Sequence, residues 1–310
     1  MARPYHSPSS IALGKRCRRA WAYCYIAGIR DPRVDWQESW AVKLPPGVTS
    51  RMRSLALGVA MHAVVERWYR HEPINWTTYP AQVFLSGAHL LPHPDRVRAG
   101  YVEQAIGMLP HAVPVGDHAP PTALEVHGVR FAGFKDLLVH APAELARLKI
   151  AGEWLLADYK SSASIARYAP KPAALEVDVQ ANLYGLDACM RLDLDSIAAR
   201  WVYFETKRKR VAAPVDVTVT RARALDILGP VAELARELDT IETVEDATPN
   251  ADACEDYGGC THHVSRGGPC SARRNLGLSI QLRASKKGRI DMTDEMKAKL
   301  EAAGAVIELK

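Results

Sequence analysis

Two short stretches and one helical histidine carry residues whose types and spacing suit metal-assisted hydrolysis. In Asp158-Tyr159-Lys160 the charged residues are two apart, so on a β-strand both side chains leave one face while Tyr159 leaves the other. A carboxylate and an ammonium then stand at one spot. Asp136 closes the run Gly133-Phe134-Lys135-Asp136 on what reads as the preceding strand, and hairpin pairing would bring it beside Asp158. Two carboxylates held together repel, and a divalent cation resolves the repulsion. His62, in the run LALGVAMHAVVERWYR, offers a nitrogen ligand, and the backbone carbonyl of Tyr159 a further oxygen. Glu66 and Glu125 are nearby acids and read as solvated or outer-layer groups.

The elements that must position these residues follow from periodicity. Ser7-Pro8-Ser9-Ser10 offers an N-cap to a first helix over IALGKRCRRAWAYCYI, which contains Cys17. Leu57, Met61, Val64, Val65 and Trp68 recur at helical spacing, so His62 rides on an amphipathic helix. Another helix is expected near 95–109. From 123 to 140 the pattern alternates around Gly128 and Gly133, as strands in a hairpin or meander do. Residues 153–162 read as a third strand, 177–192 as a helix and 196–206 as a fourth, buried strand. A basic turn and a short strand, VDVTVT, precede a long helical pattern over RARALDILGPVAELARELDTIE, in which Pro230 marks a kink or boundary.

With 310 residues and 48% hydrophobic content, the chain can bury a sizeable core as one large domain or a domain with an appendage. A net charge of +5 is mildly basic, but Lys and Arg group at 15–19, 207–210 and 286–289, which suits a polyanion as well as a solvated face. No stretch approaches the roughly 20 apolar residues that cross a bilayer, and MARPYHSPSS lacks the apolar core of a signal peptide. A cytoplasmic protein with no membrane partner is expected. In a reducing compartment its six cysteines are better explained by metal ligation or chemistry than by disulfides. Residues 247–274 are rich in Cys, Gly, Asp and His, and so irregular a stretch needs an inserted metal to hold its shape.

The ordered set of runs resembles the RecB-like, CRISPR-adaptation (Cas4-like) exonuclease branch of the PD-(D/E)xK nucleases. The chain presents SPSSIALGKRCRRAWAYCY, then LGVAMHAVVE, GFKD, DYKSS and QANLY, in the order of that branch and across roughly residues 7–206. The resemblance implies an α/β (α+β) restriction-endonuclease-like core, with a central mixed sheet flanked by helices. It implies that His62, Asp136 and Asp158, with the Tyr159 carbonyl, bind Mg or Mn, and that Lys160 orients the attacking water. Gln180 and Tyr184, four apart on one helix face, would brace the site or touch the phosphate backbone. It further implies a four-iron four-sulfur cluster held by Cys17, Cys254, Cys260 and Cys270, joining the N- and C-terminal parts. The intervals between the last three are wider than the branch's usual Cys-x-x-Cys, and zinc, bound by these thiolates or with His262 or His263, is the other reading. Cys24 would substitute for Cys17, and Cys189 reads as a buried small hydrophobe.

Residues 1–274 are thus expected to form the nuclease domain, with 275–310 an appendage of unassigned role. The sequence holds no Gly-x-x-x-x-Gly-Lys-Ser/Thr phosphate loop, so this chain is expected to lack a helicase motor of its own. The implied activity is a metal-dependent exonuclease acting on single-stranded DNA or DNA ends, presented by a helicase or recombination partner. Recombination, repair, CRISPR-like adaptation or phage DNA processing would each use it. The alternative is a catalytically silent DNA-binding or assembly protein that keeps the fold.

Overall fold

A computed structural model describes residues 5–29, 34–105, 124–206, 210–258, 260–264 and 267–272. The chain divides into two compact units, Met1–Ala247 and Thr248–Lys310. The expected boundary at 274, the appendage at 275–310, the basic group at 286–289 and Lys207, Arg208 and Lys209 all lie outside the described residues. No described helix is long and apolar enough to cross a membrane.

The first unit is built on a five-stranded mixed sheet in the order β1 (Ala99–Ala105), β4 (Phe134–His140), β5 (Trp154–Ser162), β6 (Ser196–Glu205) and β7 (Ala212–Thr220). All neighbours are antiparallel except β5 and β6. The parallel pair requires a crossover, supplied by α6 (Ile165–Tyr168), α7 (Pro172–Leu175) and α8 (Val179–Leu192). A separate hairpin, β2 (Leu124–Val126) with β3 (Val129–Phe131), turns at His127 and Gly128, both at positive φ, as a tight two-residue hairpin turn demands. The expected α/β core, a central mixed sheet flanked by helices, is present.

Alternation along the strands divides the core in two. One face packs Leu138, Leu156, Ala199 and Trp201 against α8, the hairpin, α1 (Pro8–Arg16), α2 (Arg18–Tyr25) and α9 (Arg221–Asp239). The other packs Leu137, Val139, Leu155, Ala157 and Tyr159 against α3 (Ser50–Tyr69), α4 (Tyr79–Leu85) and α5 (Pro142–Arg147). Gly185 lets α8 approach β7 closely, since a Cβ there would stand 2.6 Å from Val219 Cγ1.

Three sequence expectations change. The single first helix is two, because Cys17 is extended at φ −161 and its thiol caps α2 by accepting from Ala20 N–H at 3.4 Å. In place of the helix expected near 95–109, the described residues form a short 3-10 turn, Pro94–Arg96, and strand β1, and 106–109 lie outside the described residues; pairing with β4 outweighs the local helix preference. Of the kink or boundary expected at Pro230, the boundary is absent, since α9 runs through it; the residue is exposed, so water can bond the carbonyl that proline leaves without a donor. The basic group at 15–19 is also partly committed: Arg18 makes a two-pronged pair with Glu237 at 3.0 and 2.9 Å, and Arg19 donates to the carbonyls of Ala247 and Glu245.

Candidate active site

The site lies where β4 and β5 cease to pair. Their register runs from His140↔Trp154 to Leu137↔Ala157, and one step further lies Asp136 opposite Asp158. Instead of continuing the ladder, Asp136 Oδ2 accepts from the Tyr159 N–H at 3.1 Å. Asp158 and Lys160 leave one face of β5, and the lysine Nζ stands 2.6 Å from Asp158 Oδ2. The ammonium thus sits directly on this buried carboxylate oxygen as its charge partner. Asp178 caps α8 by accepting from Ala181 N–H, and the helix then presents Gln180 to both charges. Gln180 Nε2 donates to Asp158 Oδ1 at 2.7 Å, and Lys160 Nζ donates to Gln180 Oε1 at 3.3 Å.

His62 comes from α3 on the other side of the sheet. Its Nε2 donates to the Tyr159 carbonyl at 3.2 Å, and its Nδ1 lies 3.3 Å from Glu103 Oε1 and 3.7 Å from Asp136 Oδ2. Ligand atoms of His62, Glu103 and Asp136 all fall within 4.8 Å of one another, the metal-spaced group among the described residues. Glu103 was not among the sequence candidates. It sits in the segment that reads as a helix, and it takes a left-handed φ of 51 inside β1. Backbone in that region costs of order 1–3 kcal/mol for a residue other than glycine and tends to occur at functional sites. Of the two acids noted from the sequence, Glu66 pairs with Arg70 at 2.7 Å, and Glu125 is exposed on the hairpin.

The electrostatics follow from three carboxylates around two cations. Burial pushes the Asp158 carboxyl up, and the charge of Asp136 adds to it; Lys160 and His62 oppose, and the group titrates at about 7. Burial also raises Asp136, against the pull of His62 and Lys160. For His62 burial favours the neutral ring, but the Glu103 hydrogen bond and the charges of Asp136, Glu103 and Asp158 outweigh it and raise the pKa to about 9. Burial works against the Lys160 charge as well, yet the two aspartates hold it above the ordinary lysine value. The oxygen-rich group of His62, Glu103 and Asp136, with its one imidazole, suits a hard divalent cation.

A groove of about 530 Å³ opens beside these residues, lined by Asp136, Lys160, Gln180, Tyr184, Gly133, Phe134 and Ala132, with Tyr5, Ser7, Pro8 and Ser9 from the start of α1. The N-terminal segment is held there by His6, whose Nε2 bonds Asp239 Oδ1 at 3.1 Å and whose backbone bridges to Phe131. Tyr184 is buried, accepts from the Phe134 N–H and packs on Gly133. The structure therefore gathers His62, Asp136, Asp158, the Tyr159 carbonyl, Lys160, Gln180 and Tyr184 in one place.

The second unit carries the other cysteines. A 3-10 helix, Ala251–Gly258, holds Cys254, whose carbonyl accepts from Cys260 N–H at 2.7 Å; Cys270 N–H donates to the His262 carbonyl at 2.7 Å. Cys260 and Cys270 are buried, and His263 Nε2 donates to the Ala272 carbonyl. Among the described residues these side chains do not form a metal-spaced group of three. Cys189 is buried inside α8, and burial pushes its thiol up to about 11.

Residues 5–264 match the family model described as the PD-(D/E)XK nuclease superfamily. A comparison with curated proteins gives no match. Among solved structures the chain is similar to one titled "Crystal structure of SSO0001", at 12% identity, a TM-score of 0.35, and coverage of 76% of this chain and 78% of that one.

Proposed function

Because the chain belongs to the PD-(D/E)XK nuclease superfamily, whose members use divalent metals, we propose that it is a Mg- or Mn-dependent deoxyribonuclease of the RecB-like branch, an exonuclease on single-stranded DNA or DNA ends. The observation that carries this reading is the convergence of His62, Glu103 and Asp136 within ligand spacing, beside Asp158 and a lysine 2.6 Å from it. When bound, a divalent cation there supplies polarisation of the phosphoryl oxygen and a lower pKa for water. His62, Glu103, Asp136 and Asp158 would hold it, with the Tyr159 carbonyl.

The chain's own residues do the rest. Lys160, kept charged by the two aspartates, stands where it orients the attacking water and stabilises negative charge developing on the phosphate. Gln180 fixes Asp158 through Oδ1 and Lys160 through Oε1, so that neither charge turns away. The groove past Tyr184 and the Ser7–Ser9 turn admits a strand or an end, whose phosphates the site reads without base contacts. A helicase or recombination partner would present that end.

Cys17, Cys254, Cys260 and Cys270 are proposed as ligands of a four-iron four-sulfur cluster, with zinc as the other occupant. Two of these thiols, Cys260 and Cys270, are buried in the second unit, which a cluster would stabilise.

The deciding experiment is digestion of end-labelled single-stranded and blunt double-stranded DNA by purified protein with Mg²⁺, with Mn²⁺ and with a chelator. Metal-dependent shortening from an end supports the proposal. Metal-dependent DNA binding without any cleavage would instead indicate a silent DNA-binding or assembly protein.

A further inference from the structure

Lys135 and Asp187 form a buried ion pair that no step of the proposed reaction uses. Their side chains are 1% and 0% exposed, and Arg191 adds an Nε contact to Asp187 Oδ1 at 3.5 Å. Burial lowers the lysine pKa, and the Asp187 charge pulls it back up. Taking two charges out of water offsets most of what their attraction returns, so such a pair is a poor stabiliser. What it fixes is direction.

Along β4, Leu137 and Val139 enter the core layer with α3, and Leu138 enters the layer with α8. Regular alternation would send Lys135 toward α3 and Asp136 toward α8. The contacts are the reverse: Lys135 reaches Asp187 on α8, while Asp136 stands 3.7 Å from His62 on α3. Neighbours on a strand leave by opposite faces, so anchoring Lys135 on the α8 side turns Asp136 to the α3 side. Strand β1 adjusts at the same level, where the pairing passes from Val102↔Leu137 to Gln104↔Lys135 and Glu103 between them takes its positive φ. On α8, Gln180, Tyr184 and Asp187 fall at i, i+4 and i+7 and share one face. The helix that steadies Asp158 is thus the one to which β4 is tied.

We propose that Lys135 and Asp187 are a positioning pair, which sets the phase of β4 so that Asp136 joins His62 and Glu103. The proposal rests on the nuclease reading for its effect on catalysis, but not for its effect on geometry. The test is the double variant Lys135→Met/Asp187→Leu, which replaces the pair with apolar groups of similar volume and so keeps the core filled. Lys135→Met alone, which removes the anchor and leaves Asp187 its contact with Arg191, is measured beside it in case the double variant does not fold.

In whichever variant folds, hydrogen exchange of the Tyr159 amide, which donates to Asp136, should quicken about tenfold or more. Mn²⁺ affinity by calorimetry should weaken by about 10- to 100-fold, as when groups behind metal ligands are removed. kcat should fall about 100-fold, the effect of misplacing a reacting group by about 1 Å, with KM for DNA unchanged. A folded variant with wild-type Tyr159 exchange and wild-type Mn²⁺ affinity would overturn the proposal. If the wild-type protein itself cleaves nothing, the nuclease reading falls, while faster exchange and weaker Mn²⁺ binding in the variants would still uphold the positioning pair.

Discussion

Gly133→Ala tests how tightly the groove wall is set. A Cβ at this position would lie 2.7 Å from Tyr184 Oη, 2.9 Å from Cε1 and 3.2 Å from Cζ, whereas unstrained contacts between such atoms begin near about 3.5 Å. The tyrosine ring must therefore retreat by roughly 0.8 Å at its tip. Oη is the far end of the side chain, but the ring is 6% exposed and packed in the core, and retreat also breaks its bond from the Phe134 N–H. Overpacking of this kind costs about 1–3 kcal/mol, and the lost hydrogen bond about 1 kcal/mol more. At roughly 2–4 °C per kcal/mol for a domain of this size, melting should fall by about 4–16 °C. Activity should fall further than stability explains, by up to about 100-fold, because Tyr184 lines the groove one turn from Gln180. Calorimetric melting and single-turnover cleavage read the two effects separately. Adding Tyr184→Phe removes the closest atom and should recover part of the melting loss. A Gly133→Ala protein with unchanged melting and unchanged rate would refute the reasoning from this contact.

Other outcomes follow from the same geometry. Asp158→Asn and Lys160→Ala should each lower kcat by at least about 100-fold, and Asp158→Asn should melt at or above the wild type without metal, because it removes a carboxylate repelled by Asp136; a fully active variant of either kind would remove the residue from the site. The raised Asp158 pKa means that the folded protein holds a proton the unfolded chain loses above about 3.8, so stability falls between there and about 7. The raised His62 pKa contributes stability below 6.5 that is lost as pH rises through about 9. Without metal, melting should therefore drop from pH 4 toward 9, while Mn²⁺, which needs deprotonated ligands, should stabilise increasingly over the same window; melting curves with chelator and with Mn²⁺ check this, and a Mn²⁺ effect that shrinks with pH would contradict the ligand set. Affinity for DNA should fall at least about tenfold between roughly 50 and 200 mM salt, since phosphate contacts release counterions; salt-insensitive binding would argue against backbone contacts. Protein purified without oxygen should be brown with about four irons per chain and should bleach in Cys260→Ser; stoichiometric zinc without iron would favour zinc, and no bound metal with an undisturbed fold would dismiss both occupants.

What the sequence determined by itself is the set of features carried by near neighbours. The period-two spacing of Asp158 and Lys160 put both on one face of β5, and the i, i+4 spacing of Gln180 and Tyr184 put both on the groove side of α8. The amphipathic pattern around His62 located α3, and the alternation after residue 123 marked extended chain there, in which the structure has three strands, β2, β3 and β4, before the one read as third. Tertiary structure alone decided the rest. Glu103 reads as part of a helix because its local residues favour one, and only pairing with a distant strand makes β1 and gives that residue its left-handed backbone. Cys17 interrupts a run of good helix formers by turning its thiol to cap the next helix. Lys135 and Asp136 leave β4 against its regular alternation, and Lys135 meets a partner 52 residues off on α8. Periodicity is a local property, read within a turn or a pleat, whereas the meeting of charges across a core depends on how whole elements pack, and no spacing along the chain encodes it.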